Sequence, residues 1–300
     1  MHGFIVIDKP AGITSHDVVA RVRRILKCKK VGHTGTLDPF ATGVLPVALG
    51  EGTKGIPFLD EGVKEYRAVM RLGATTDTDD REGAVTGECA LDGIGDAQIL
   101  EAAVSFTGII AQIPPMYSAL KQNGVPLYKL ARKGEEVERP PRQVTIFSLT
   151  VDLIDLPHVA FSVSCSRGTY VRSLARDMGE RLGCGAHLTE LRRTRSGLFT
   201  LEHARTLEQV ADEAACGSDL PGGIPLAEAL EPLPSVQLTA EGERLVRNGR
   251  LPQGSGLAEM PAGFCPGQKI RLMHDSLLVA VAEVVSERGG ELLRLLRVFN

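Results

Sequence analysis

Apolar side chains recur with two different periods along the chain, and the changes of period divide it into strands and helices. Phe4 to Ile7 is a short unbroken apolar run, read as a strand, after which Ser15 is positioned to cap a helix. That helix carries Val18, Val19, Val22, Ile25 and Leu26 at helical spacing. The following VGHTGTLDPFATGVLPVALG is dense in Gly, Thr and Pro, which predicts a loop in its first half and a strand over Val44 to Leu49. Residues 64–74 alternate apolar and polar side chains as a half-buried strand does, and Ala97 to Phe106 reads as a helix. Prolines 114, 115, 126, 140 and 141 mark an irregular basic insertion over about 112–142, with a short helix over Leu127 to Lys133. Two strands follow, Val144 to Ile154 and Val159 to Cys165. A turn at Arg167 and Gly168 then leads into a helix over Tyr170 to Leu182, with Val171, Leu174, Ala175, Met178 and Leu182 facing inward. Residues 217–234, rich in Gly and Pro, read as a boundary. Beyond it TAEGERLVRNG is a helix, a Gly/Pro-rich loop follows, and IRLMH, LLVAVAEVV and LLRLLRVF are strands. The pattern divides the chain into a large unit over 1–230 and a small β-rich module over 231–300.

A chain of 300 residues supports a large domain plus a small one. Its 43% hydrophobic and 24% charged residues are those of an ordinary globular protein. The net charge of -3 argues against indiscriminate coating of nucleic acid, but the charges are unevenly placed. Residues 21–30 hold six cations (Arg21, Arg23, Arg24, Lys27, Lys29, Lys30) and no acid. Residues 77–101 hold eight acids against one arginine, and Arg167 to Arg195 spans seven arginines and three acids. A basic surface on a mildly acidic protein suits a polyanion. The N-terminal run lacks the long apolar core of a signal peptide, and no stretch reaches membrane-spanning length, so a cytoplasmic protein without membrane association is expected. The six cysteines are scattered without metal-ligand spacing, so no metal is expected.

The candidate for chemistry is Asp38, in GHTGTLDPFATG. Glycines such as Gly35 allow close approach of backbone and substrate, and Pro39 stiffens the segment after the carboxylate. A loop aspartate before proline is, by itself, more often a turn former. GHTGTLDPFATGVL, however, resembles the catalytic motif of the TruB family of pseudouridine synthases. FIVIDKPAGITSHDVV, KEYRAVMRLGATTDTDD, QIPPMYSALKQNGVPLYKLARKG, SRGTYVRSLARDMGERLG and LRRTRSG are similar to further family segments, in the same order, across residues 4–197. CPGQKIRL and the strands after it resemble more weakly the PUA RNA-binding domain.

The resemblance implies an α/β catalytic domain of pseudouridine synthase fold with a mixed, mainly antiparallel sheet and flanking helices. It also implies isomerisation of uridine at position 55 in the T loop of transfer RNA, with no cofactor. The bond from ribose C1' to N1 breaks, the base turns, and C5 joins C1'. A carboxylate serves either as nucleophile at C1' or by removing a C2' proton, and the sequence leaves both open. Asp38 takes that role. Arg172 would pair with it and hold its pKa down, and Tyr66 would stack on a flipped base. Tyr170 and Leu191 match pocket walls, although Leu191 equally fits core packing. His33 matches a residue filling space vacated in the RNA loop, and Asp80 an acid near the base. Lys9 and Pro10 match a motif buttressing the active-site loop. Arg139, Arg142, Arg192 and Arg193 are expected to position phosphates. The expected partner is the transfer RNA T stem-loop, met by a monomer without an obligate protein partner. The competing readings are an RNA-guided synthase of the dyskerin type, a transfer-RNA folding chaperone, and a glycoside hydrolase with paired carboxylates.

Overall fold

The computed structural model describes residues 2–60, 62–118, 120–122, 124–131, 133–135, 137–252, 256–257, 264–287 and 290–300. In chain order the elements that place the site are β1 (Gly3–Lys9), α1 (Ser15–Ile25), β2 (Thr42–Leu49) and β3 (Val63–Leu72). Next come α2 (Asp96–Ser105), β4 (Gly108–Gln112), β5 (Arg142–Asp155), β6 (His158–Ser166), α3 (Val171–Arg181), β7 (Ala186–Ser196) and α4 (Leu207–Ala215). A sheet of eleven strands among the described residues runs β1-β2-β7-β3-β6-β5-β4 along its main path, with short strands pairing at its margins. Every neighbouring pair along that path is antiparallel except β2 with β7. The fold is therefore the mixed, mainly antiparallel sheet with flanking helices that the sequence led us to expect.

Burial explains why β1 and β2 read as unbroken apolar runs while β3 alternates. Ile5, Ile7, Leu45, Val47 and Leu49 enter the main core beneath α1, α3 and α4, whereas Phe4, Val6, Val44 and Ala48 enter a second core on the opposite face. A strand covered on both faces has no solvent side to mark with polar residues. Helix α1 is capped by Thr14 rather than by Ser15. A capping box needs an acceptor three residues after the cap, and Asp17 supplies it, accepting from Thr14 N at 2.9 Å while Thr14 Oγ1 accepts from Asp17 N at 3.1 Å. Ser15 is buried one residue further on and faces the loop around Leu37.

Strand β7 was not expected. Its sequence AHLTELRRTRS lost the period of two because register shifts interrupt its pairing with β3 between Leu188 and Glu190 and again between Arg193 and Arg195. The stretch over 217–234 is no loose spacer. Ile224 and Pro225 pair with β1, and Ile224, Leu226, Ala229 and Leu230 are buried with Phe4, Phe199, Met273, Leu278, Val281 and Phe299. The C-terminal module thus packs on the back of the main sheet. It comprises Ser235–Gln237, α5 (Ala240–Arg247), β8 (Lys269–His274), β9 (Leu277–Glu287) and β10 (Gly290–Val298), with its own core around Val236, Val246, Leu272 and Val284. In the insertion the short helix spans Leu127–Ala131. Arg132, in its expected last turn, lies outside the described residues, as do 253–255 and 258–263 of the Gly/Pro-rich loop.

Gly43 marks the crossing of β2 and β7. Its φ is +99°, and a Cβ there would stand 2.2 Å from Arg193 O. Gly43→Ala is expected to cost at least about 1–3 kcal/mol from backbone strain alone. The urea midpoint should fall at unchanged slope, and a variant melting like the wild type would contradict this account.

Candidate active site

Residues 34–41 form the loop that carries Asp38, and its backbone is held from three sides. Thr34 N donates to Pro46 O at 3.1 Å, and Ala41 N closes a turn on Asp38 O at 3.1 Å. From the β1–α1 connection, Ser15 Oγ donates to Leu37 O at 3.1 Å and accepts from Leu37 N at 2.8 Å. Gly12 N and Lys9 Nζ both donate to Pro39 O, at 2.9 and 3.1 Å. Lys9 is fully buried and also donates to Pro10 O and Ile13 O. From β7, Arg193 donates through Nη2 to Gly35 O at 3.1 Å, through Nη1 to Thr36 O at 3.4 Å, and through Nε to Val44 O at 2.7 Å. Carbonyls that a loop would otherwise leave to water are thus met by buried side-chain donors.

Helix α3 supplies the opposite wall. Its start is set by Gln112 at the end of β4, whose Oε1 accepts from Tyr170 N at 2.8 Å while its Nε2 donates to Tyr170 O at 3.1 Å. Two residues on, Arg172 is almost wholly buried, with only 4% of its side chain exposed. It grips Asp38 with two bonds, Nη2 to Oδ1 and Nε to Oδ2, each 3.0 Å. Its remaining donors reach Thr78 O at 2.9 Å, Tyr117 O at 2.8 Å and the Asp80 carboxylate at 3.3 Å. Asp38 retains 31% side-chain exposure, so its carboxylate is anchored on one side and open on the other.

Burial pushes the Asp38 carboxyl above the ordinary carboxylate range. Arg172 and Lys9 pull it back and Asp80 pushes it further up, so the arginine does not hold it down outright as expected from sequence. Asp80 is itself fixed, its Oδ1 accepting from Thr78 Oγ1 at 2.7 Å and from Glu82 N at 3.0 Å. The acidic turn is therefore only partly a solvated lobe. Its neighbour Asp79, at φ +60°, pairs with Arg176 one helical turn beyond Arg172, at 3.1 Å. Arg176 also donates to Ile113 O at 3.1 Å, and Ser173 Oγ donates to the same carbonyl at 3.0 Å. Asp79, Gln112, Ser173 and Arg176 were not singled out in the sequence. The four-residue interval between Arg172 and Arg176 was the available signal, since it puts both on one helix face.

The other sequence candidates divide. Tyr66 on β3 is partly buried against the main core, close enough to Asp38 to feel its charge, and burial raises its phenol, opposed by the nearby Arg193 guanidinium. Tyr170 lies at the head of α3 and is raised by burial likewise. Leu191 is buried among core residues, which fits the packing reading. His33 ends a short strand paired with β2, and its ring meets His16 edge-on with centroids 5.3 Å apart. Gly35 has no positive φ and an added Cβ would meet only ordinary contacts, so its backbone is not special. Arg142 is exposed, and Arg139 donates to Pro114 O at 2.9 Å within the insertion. Arg193 corrects the sequence reading. With 2% exposure and its donors on loop carbonyls it is unable to reach a phosphate. Arg192 pairs with Asp8 at 3.0 and 2.8 Å and keeps 39% side-chain exposure.

Burial lowers the Lys9 ammonium from 10.5 to about 8. The unfolded chain then holds the extra proton between those values, so Lys9 makes stability rise with pH across that window. Lys9→Met should remove the rise, widening the stability deficit of the variant between pH 8 and 10 in urea melts. Parallel pH profiles for the two proteins would refute it.

Comparison with known proteins bears on this arrangement. The family model described as TruB family pseudouridylate synthase (N terminal domain) matches residues 23–171, and that described as tRNA pseudouridylate synthase B C-terminal domain matches 172–236. The chain is 54% identical to the tRNA pseudouridine synthase B of Geobacter sulfurreducens, with 100% of each chain covered. It is 47% identical to the protein of that name from Clostridium tetani, covering 83% of this chain and 85% of that one. A solved Cbf5-Nop10-Gar1 complex contains a similar chain, with a TM-score of 0.75 and 32% identity over 99% of this chain and 85% of that chain. A structure of an H/ACA RNP bound to a substrate RNA containing 2'-deoxyuridine gives a TM-score of 0.73 at 30% identity, with coverages of 99% and 85%. The chain belongs to the TruB family of pseudouridylate synthases.

Proposed function

We propose that this chain isomerises uridine 55 in the T loop of transfer RNA to pseudouridine, as a cytoplasmic monomer that needs neither cofactor nor protein partner. The observation that carries the proposal is the Asp38 carboxylate, gripped by Arg172 on its inner side and open to solvent on its outer side. Full-length likeness to proteins named tRNA pseudouridine synthase B supports the substrate. No helix among the described residues is long and apolar enough to cross a membrane.

In this reading the RNA flips its uridine out of the stack and lays the base against Tyr66, which replaces part of the lost stacking, worth about 1–3 kcal/mol per base. Asp38 then acts at the sugar while Arg172 keeps the carboxylate ionised and aimed. Orientation by two parallel bonds leaves the carboxylate little freedom to rotate. Breakage of the bond between C1' and N1 frees the uracil, which turns until C5 faces C1', and as the new bond is completed C5 loses its proton while N1 takes one up, so the base keeps its proton count. His33 and Tyr170 contribute to holding the RNA loop and base, while Asp80 acts from behind, through Arg172. Arg139 and Arg142, in and beside the insertion, and Arg192, which keeps 39% side-chain exposure beside Asp8, remain candidates for phosphate contacts, whereas Arg193 is committed within the protein.

The full-length relatives favour a stand-alone enzyme over an RNA-guided one, since the identity to them exceeds that to the chains solved in complexes. A glycoside hydrolase would need a second working acid. Asp80 has 5% side-chain exposure and both its oxygens engaged, which argues against that role. Residues 231–300 we assign to a PUA-like module that extends the RNA surface, and 1–230 to catalysis.

Asp38→Asn should yield no pseudouridine in transfer RNA incubated with the purified chain, while retaining RNA affinity. Pseudouridine formed by that variant would refute the assignment, and lost binding at an unchanged fold would favour a chaperone role. Because burial, helped by Asp80, raises Asp38, the acid limb of the activity profile should lie above the usual range of about 3.9 for aspartate. Asp80→Asn should move that limb to lower pH, and a limb that stays or rises would show that the two carboxylates are not coupled.

A further inference from the structure

We propose that Arg193 is a positioning residue for the reaction, fixing the hydroxyl of Tyr66 against the loop that carries Asp38. The proposal rests on the reading of the site above and adds a residue to it. Sheet register brings the parts together: Arg193 on β7 lies opposite Tyr66 on β3 and beside Gly43 on β2. Its guanidinium donates to Gly35 O, Thr36 O and Val44 O and lies close enough to Tyr66 for its charge to act on the phenol.

The energetics single this side chain out. Among the described residues it forms no ion pair, and the hydrogen-bond acceptors it meets are backbone carbonyls. Lys9, a second buried cation, is close enough to feel its charge. Burying a charge without an opposite charge is costly, and a neutral side chain of similar length would pin carbonyls without that penalty. A planar fork has a geometric use that a neutral chain lacks, because it holds several acceptors in one plane at fixed separation. Here those acceptors belong to the Asp38 loop and to the start of β2, and the ring proposed to meet the base lies opposite on β3. Gly43 is needed for the same reason, since a side chain there would collide with the Arg193 backbone.

The test combines Arg193→Lys, Tyr66→Phe and the double variant, with full-length transfer RNA as substrate. Displacing the ring relative to the carboxylate should lower kcat by about 10-fold or more in Arg193→Lys, with KM within about 3-fold of wild type. In the Tyr66→Phe background the same substitution should cost less than about 3-fold, because both act through one hydroxyl. With 13C at the tyrosine Cζ, the four phenols report separately, and the Tyr66 resonance should shift in Arg193→Lys while that of Tyr128 stays in place. A purely structural pin predicts an unmoved Tyr66 signal and independent, multiplying losses, and either result overturns the proposal. Should Arg193→Lys fail to fold, Tyr66→Phe alone decides. The proposal requires a drop of about 10-fold at an unchanged melting temperature, and a silent hydroxyl removes its basis. Pseudouridine made by Asp38→Asn would instead sink the reading of the site and leave the Arg193 geometry standing.

Discussion

One guanidinium organises this protein. Arg172 is buried, and five contacts converge on it: two from Asp38, one from Asp80, and the carbonyls of Thr78 and Tyr117. Those partners come from the loop after α1, the turn after β3 and the insertion after β4. Without the arginine three segments distant in sequence would lose their common anchor, and two carboxylates would face each other uncompensated. A lysine would bring a point charge but not the planar fork needed to meet five acceptors.

The loop itself is shaped by a second set of buried cations. Lys9 and Arg193 take its carbonyls from opposite flanks, and Ser15 clamps Leu37 through both its backbone groups. The Lys9 charge also matters to Asp38, because burial raises its carboxyl while Arg172 and Lys9 lower it. The site therefore anchors its acid on one side and leaves the solvent-facing side for a substrate. Rigidity of this kind is what orientation-dependent chemistry requires.

Much of the fold was legible where a segment has one buried face. Strand β3 and helix α3 carry clean periods of two and 3.6, and both were found within a few residues of their limits. Strand β7 was missed because two register shifts break its alternation, and because arginines at 192, 193 and 195 read as surface. The boundary at 217–234 looked like a spacer, since Gly and Pro mark turns whether or not the turns are buried. Asp80 was a weak candidate for a similar reason: an acidic turn looks solvated until the helix that neutralises it is placed beside it.

By itself the sequence determined which residue types were available, where regular elements begin, and, through motif resemblance, which carboxylate and arginine to pair. Only the tertiary structure decided that Arg193 faces inward to hold the loop while Arg192 turns toward Asp8, although the two are adjacent and chemically alike. It also decided that Asp79 and Asp80 are neutralised by α3. Charge partners lie 92 to 184 residues apart in these cases. Local propensity carries no record of such separations, and burial alone turns a chain's charges into specific pairs.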